Sequence, residues 1–214
     1  MTVLRTHAPE FAEALGVTAL LVLLAAIGSL LIGTLVAALQ LSPVRPARLL
    51  AVAYTGVFRN IPLPMQMVLF VFGLPVLGIS YSLFTSAVVV LVLYTSAFVA
   101  ETLRAGINTV PRGEIEAARA LGFGPVRVLA AVALPQAFAT VVQPLGSVMI
   151  TMLKNTSVAA IIGVAEFTFT ANKVAVEEAE TFTVFGGAVI AYVLLGVALG
   201  AGFTALERKV AFRR

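Results

Sequence analysis

Charged and polar side chains are scarce in this chain, and the few that interrupt its apolar runs are where chemistry could occur. Arg59 and Lys154 are the two basic residues set within long, otherwise uncharged stretches. An ionised side chain at a bilayer centre costs at least roughly 2.5–3.5 kcal/mol, so such residues usually face a cavity or a partner. Asn60 follows Arg59, and Pro62 and Pro64 come next. Each proline deletes an amide donor and frees a carbonyl that needs another partner. A chain tolerates this where its backbone lines a wet path, and broken helices are one way to build a solute site. Thr95 and Ser96 could approach such a path from one side and Lys154, Asn155, Thr156 and Ser157 from another. A guanidinium or ammonium group there would suit an anionic ligand. Structural alternatives stand beside each role. Arg59 could pair with Glu101 or snorkel to a membrane surface. Lys154 could bond a neighbouring helix end, and Tyr94, Thr95 and Ser96 could tie helices together.

Covalent chemistry finds little to work with. Cysteine is absent, and His7 is the only histidine, placed where a mobile tail is expected. There is no GxxxxGK[ST] loop, no HExxH and no Ser/His/Asp set. No catalytic residue or metal site is expected, and the chain does not read as an enzyme.

The elements that must position these residues follow from composition. Of 214 residues, 60% are hydrophobic and only 11% charged, against roughly 25% charged in soluble domains. The mean hydropathy is +1.06. The chain therefore reads as an all-α protein solvated by lipid. No charge occurs between Glu13 and Arg45, Arg59 and Glu101, Arg127 and Lys154, or Glu180 and Glu207. The second run is long enough for a turn, readable at "GLPVLGIS" from Gly73. Five spans result, at about 15–39, 50–73, 82–104, 137–160 and 183–206, in one membrane domain covering 1–214.

Basic residues set the expected orientation. Arg45 and Arg48, then Arg104, Arg112, Arg119 and Arg127, then Arg208, Lys209, Arg213 and Arg214 share one side. The other side holds only Arg5 and Lys173. The positive-inside rule places the N-terminus outside and the C-terminus in the cytoplasm. The net charge of +4 forms no aromatic-lined basic patch, so no nucleic acid is expected. An outer loop, 165–183, carries Glu166, Glu177, Glu178 and Glu180 against Lys173 and reads as a solvated acidic turn or a docking surface.

The largest cytoplasmic loop, about 110–135, contains "VPRGEIEAARALGFGPVRVLAAVALPQA". Pro111 suits a first helical turn. Ile115, Ala118 and Leu121 or Gly122 share a face. Gly122 fits the left-handed residue after the helix, Phe123 its apolar contact, and Pro125 the stop. A second helix over about 126–134 would lead to Pro135. The first helix is too short to persist alone. It either lies on the membrane surface or inserts into a partner, to which Ala117, Ala118 and Ala120 would offer close approach.

A resemblance favours the partner. "EAARALG" at 116–122 with Leu134–Pro135 resembles the EAA loop of ABC importer permeases. "FRNIPLPMQ" from Phe58, "LYTSAFVAETLRAGINTVPRGEIEAARALG" from Leu93, "LPQA" from Leu134 and "LKNTSVAAIIGVAEF" from Leu153 extend it. Together they resemble the permease subunits of polar amino-acid ABC importers, most closely the actinobacterial glutamate type. Asn60–Ile61 stands where Gly-Thr is usual, Pro64 where Leu is common, and Gly113–Glu114–Ile115 where a Gly-Gln pair usually precedes the EAA segment. The resemblance implies a type I importer permease fold in a bacterial cell membrane. It implies that Glu116, Ala117, Ala118, Arg119, Leu121 and Gly122 couple to a separate ATPase dimer, which would use ATP and magnesium. It further implies an extracellular substrate-binding protein and an amino-acid substrate. Five spans are few for a complete pathway, so a second copy or a paralogous permease should complete it. Two other readings remain: a self-contained ion-coupled transporter, which would want an inverted repeat and in-span acids, and a non-transporting scaffold.

Overall fold

The computed structural model describes residues 2–210, and among them every regular element is helical. Arg213 and Arg214, used in the charge argument, lie outside the described residues. A short α1 (Thr2–Thr6) precedes α2 (Ala8–Gln40), which at 33 residues is roughly 50 Å long. Then come α3 (Arg45–Asn60), α4 (Leu63–Val68) and α5 (Leu83–Asn108). The corner helix α6 (Arg112–Ala120) is followed by α7 (Pro125–Val128) and α8 (Leu134–Asn155). Finally α9 (Phe167–Glu177) leads to α10 (Thr181–Val210).

Helices α2 and α5 run parallel at close range. Gly28 faces Val92 and Gly33 faces Val99, while Gln40 reaches Glu101. A Cβ on Gly33 would lie 2.6 Å from a Val99 methyl and 2.9 Å from the Ser96 carbonyl oxygen. Small residues on α2 thus let its backbone approach α5 closely. Gly196 and Gly200 are looser: a Cβ there would meet Ile150 of α8 at 3.9 and 3.4 Å.

Parallel neighbours require the chain to recross the membrane between them. That return is made by α3 and α4, which meet at 103°. The second span expected over about 50–73, with its break at Pro62 and Pro64, is this bent pair. By length and composition, four single helices and the pair make up to five candidate crossings. Ile61, held extended ahead of Pro62, starts the break. Pro62 cannot donate to the Phe58 carbonyl, and the buried Gln66 amide does so instead at 3.0 Å, with a second bond of 2.9 Å to the Ile61 carbonyl. After α4 the chain passes through a π turn (Leu69–Gly73) and a 3-10 turn (Leu74–Leu77), closed by Gly78 at φ 79°.

Two expectations are corrected. The second helix of the corner is not separate from the fourth span, because α7 runs through a π turn (Leu129–Ala133) into α8. Pro135, which has no N–H to give to the preceding turn, follows directly on this π turn, where the regular α bonding pattern is already interrupted. The 165–183 segment contains α9, and Glu166 is fully buried rather than solvated. Its carboxylate caps α9 by accepting from the Phe169 amide at 2.8 Å and accepts from the Tyr192 hydroxyl at 3.0 Å. Thr18 of α2 accepts from the Phe167 amide, completing the joint.

His7, expected in a mobile tail, is instead clasped. Its Nδ1 lies 2.8 Å from Glu10 and its Nε2 3.0 Å from Glu178, while Lys173 donates to Glu10 at 3.0 Å. Carboxylates on both ring nitrogens require both to carry protons. The bond to Glu178, then that to Glu10, raises the His7 pKa above its ordinary 6.5. A raised folded-state pKa means the clasp contributes fully below the ordinary value and is lost as pH rises through the raised one. An NMR titration of this single histidine should find its midpoint above 6.5, and Glu178→Gln should lower it; a midpoint unmoved by that change would remove the clasp. Gly33→Val should destabilise the fold by about 1–3 kcal/mol through overpacking, seen as a lower thermal midpoint in detergent. Gly16→Ala, with nothing within 4 Å of the new Cβ, should not.

Candidate functional site

The break between α3 and α4 places Arg59 at the end of α3, facing α5. Glu101 of α5 gathers the charges. Its carboxylate accepts from Arg104 at 2.7 Å and from the Gln40 amide at 2.9 Å, and lies 3.6 Å from an Arg59 nitrogen. The Arg59 guanidinium also stands 5.4 Å from the centroid of Phe98, within cation–π range. Gln40 further donates to Thr55, so α2, α3 and α5 meet in one polar node.

This node walls a cavity of about 670 Å³ that also includes Arg48 and Asn60. Three arginines face it against one carboxylate. A guanidinium ion paired on one side still has donors to spare, so the chamber keeps a positive bias toward any anion entering it. The ion pair anticipated for Arg59 exists, yet the side chain is 43% exposed and lines this chamber. Asn60 turns its amide back to the Gly56 carbonyl at 2.6 Å.

A second, smaller cavity of about 260 Å³ lies between α5 and α8, lined by Thr95, Ser147, Thr151 and Asn155 with Tyr94 and Phe98. The Thr95 hydroxyl is buried and has no hydrogen-bond partner among the described residues. Val148 and Met152 complete its wall, so this chamber is uncharged and mostly apolar, with a few hydroxyls and one amide.

The structure does not assemble all six path candidates. Arg59 and Asn60 share the charged chamber, and Thr95 and Asn155 the uncharged one. Ser96 belongs to neither: it is fully buried, 2.7 Å from the Tyr54 hydroxyl, and ties α5 to α3. Lys154 faces the other side of α8, in an apolar groove against α10 with Tyr192 and Val193. Each lies about 100° around its helix from the neighbour that does line the uncharged cavity, and in these two cases that step carries the side chain to another helix: Ser96 to α3 and Lys154 to α10. Phe98, which touches both chambers, was not anticipated; its spacing of three from Thr95 and Glu101 was the available signal.

At the opposite corner, α6 forms as its sequence requires. Gly122 adopts φ 83°, its amide donates to the Arg119 carbonyl at 2.9 Å, and the Phe123 amide to Ala118 at 3.1 Å. These two bonds define a Schellman cap. Ile115 packs against the Val110, Ala133 and Ala137 cluster, Ala118 is buried, and Gln136 of α8 donates to Glu114. Leu121, expected with Gly122 as the alternative to share a face with Ile115 and Ala118, is 78% exposed. Ala118, expected on the partner-facing surface, is buried. Glu116, Ala117, Arg119 and Leu121 remain on the outside.

Residues 29–212 match the family of binding-protein-dependent transport system inner membrane components. The chain belongs to this family. It is an inner-membrane, multi-pass permease, and not itself an enzyme. The permease is 36% identical over 219 residues to the glutamate transport system permease protein GluC of Corynebacterium efficiens, covering 96% of each chain. It is 34% identical over 193 residues to the probable glutamine ABC transporter permease protein GlnM of Bacillus subtilis, covering 90% of this chain and 89% of that one. Among solved structures, an amino acid ABC transporter crystallised with histidines superposes with a TM-score of 0.91 at 31% identity over 96% of each chain. The inward-facing MetNI methionine ABC transporter, at 22% identity and a TM-score of 0.71, shares the fold. The type I importer permease architecture expected from the sequence is thus the observed one.

Arg59→Ala, which leaves Glu101 paired to Arg104, should raise the apparent KM for an anionic solute roughly tenfold or more, since a hydrogen bond to a charged group is worth about 1.5–3 kcal/mol. Concentration-dependent uptake in proteoliposomes measures it; unchanged apparent affinity would take Arg59 off the path.

Proposed function

We propose that the permease forms the translocation path of an ATP-driven importer of polar amino acids, with glutamate or a closely related acidic amino acid as the preferred solute. The observation that carries the substrate class is the charged chamber, where Arg48, Arg59 and Arg104 face a single carboxylate, Glu101. A second carboxylate, supplied by the solute, would balance that excess. The glutamate and glutamine permeases among its relatives support the same reading. Glu101 is already paired with arginines, and the buried Glu166 is engaged in capping α9 and accepting from Tyr192, which leaves neither carboxylate free for ion coupling.

In this reading the energy comes from a separate ATPase dimer that binds ATP and magnesium. Its motion enters through the exposed surface of α6, with Glu116, Ala117, Arg119 and Leu121 as contacts. Ala118 and Gly122 act from within, one by packing and one by capping. The arginine-rich end of the bundle, which carries α6, faces the cytoplasm, and the N-terminus lies outside. A second permease copy or a paralogue closes the path, and an extracellular binding protein delivers the solute at the end carrying α9.

Uptake of a panel of radiolabelled amino acids by the reconstituted complex tests the substrate. Glutamate and aspartate should be taken up or compete, and exclusive uptake of a cationic amino acid would refute the chamber argument. Glu116→Lys should abolish both uptake and transport-coupled ATP hydrolysis while membrane insertion stays normal. Unchanged uptake would show that α6 is not the point of coupling.

A further inference from the structure

The two chambers share one side chain. Among the described residues, Phe98 is the only one that lines both. It sits on α5 about one turn after Thr95, which lines the uncharged chamber, and about one turn before Glu101, which lines the charged one. The ring is half-buried and held from two directions. Tyr94 packs against it with centroids 5.0 Å apart, tilted at 50°. From across α3 the Arg59 guanidinium stands over its face. Arg59 therefore touches the aromatic ring, the Glu101 carboxylate and the open volume of the charged chamber at once.

We propose that Phe98 is the gate between the two chambers and that Arg59 is the strap that holds it shut. The inference rests on the reading that these chambers carry the solute. A phenyl ring excludes a hydrated zwitterion from the passage, because the solute would have to shed water against an apolar face. The strap belongs to the charged side, so a solute carboxylate that draws Arg59 toward itself also removes the cation from the ring. Gate opening and anion recognition are then one event at one guanidinium. Tyr94 acts as a positioning residue by fixing the plane in which the ring rests.

The native chain has no cysteine, so a single introduced thiol reports on each chamber. Thr151→Cys marks the uncharged chamber and Gly56→Cys the charged one; nothing lies within 4 Å of a Cβ at Gly56. The assembled transporter in inverted vesicles is treated with a charged, membrane-impermeant methanethiosulfonate. With Phe98 present, Gly56→Cys should react readily and Thr151→Cys slowly. Phe98→Ala should speed Thr151→Cys about tenfold, equivalent to roughly 1.4 kcal/mol of barrier, and leave Gly56→Cys unchanged. Phe98→Tyr, which keeps a ring, should keep Thr151→Cys slow, and Arg59→Gln should speed it part of the way. Should the alanine variant fail to insert, Phe98→Val gives the same comparison. If Gly56→Cys reacts only from the opposite face, the reagent is applied there and the comparison stands. Equal Thr151→Cys rates with and without the ring would overturn the gate, and an unaltered rate in Arg59→Gln would overturn the strap. No uptake is needed for this measurement. A wrong substrate reading would show in the amino-acid panel and leave the gating result intact.

Discussion

A carboxylate inside a lipid-embedded bundle must have its charge matched on the spot, and Glu101 meets that demand with groups from three helices. Gln40 comes from α2, Arg59 from α3 and Arg104 from its own helix. Arg104 makes the short contact, so removing it would leave this partly buried charge with only the Gln40 amide and the more distant Arg59, whereas loss of Arg59 leaves the Arg104 pair in place. The node therefore fixes where the first three crossings meet. It also explains the glycines along α2: only the close approach at Gly28 and Gly33 brings the end of α2 near enough for Gln40 to reach. The charged chamber is what remains between these helices once the node has formed.

The same demand for local satisfaction governs the uncharged backbone. Where Pro62 breaks a helix, the Gln66 side chain replaces the missing amide at Phe58 and Ile61. Where α9 begins, Glu166 and Thr18 take two of its free amides. Neither site needs water to complete these bonds. Irregular backbone at membrane depth is tolerated here because side chains close it from within. The 103° bend is thus a built corner, and it aims Arg59 into the chamber rather than toward lipid.

Much of this was legible from residue types. Uncharged runs located the crossings, the prolines located the break, and Gly122 located the end of α6. What stayed hidden was direction around each helix axis. Thr95 and Ser96, like Lys154 and Asn155, are neighbours in sequence, yet the step of about 100° between them sends Ser96 to α3 and Lys154 to α10. The same ambiguity set Ala118 on the surface offered to a partner, although it is buried. Glu166 looked like one of four acidic loop residues, because nothing local reveals that Tyr192, a full helix away, supplies its partner. His7 was similar: its partner Glu178 lies 171 residues on. Long-range pairs leave no periodic trace, whereas helix ends and breaks are written in a few consecutive residues.

The π turn at Leu129–Ala133 carries a consequence for how this corner can change over evolutionary time. A π turn holds a surplus residue relative to regular α-helix. Loss of one residue there would let the turn tighten to regular α-helix while later side chains of α8 keep roughly their present directions, whereas the same loss within the regular part of α8 would swing them by roughly 100°. In that second case Asn155 and Thr151 would leave the wall they now share with Thr95. The π turn is therefore where the length of this corner can change without turning the wall beyond it.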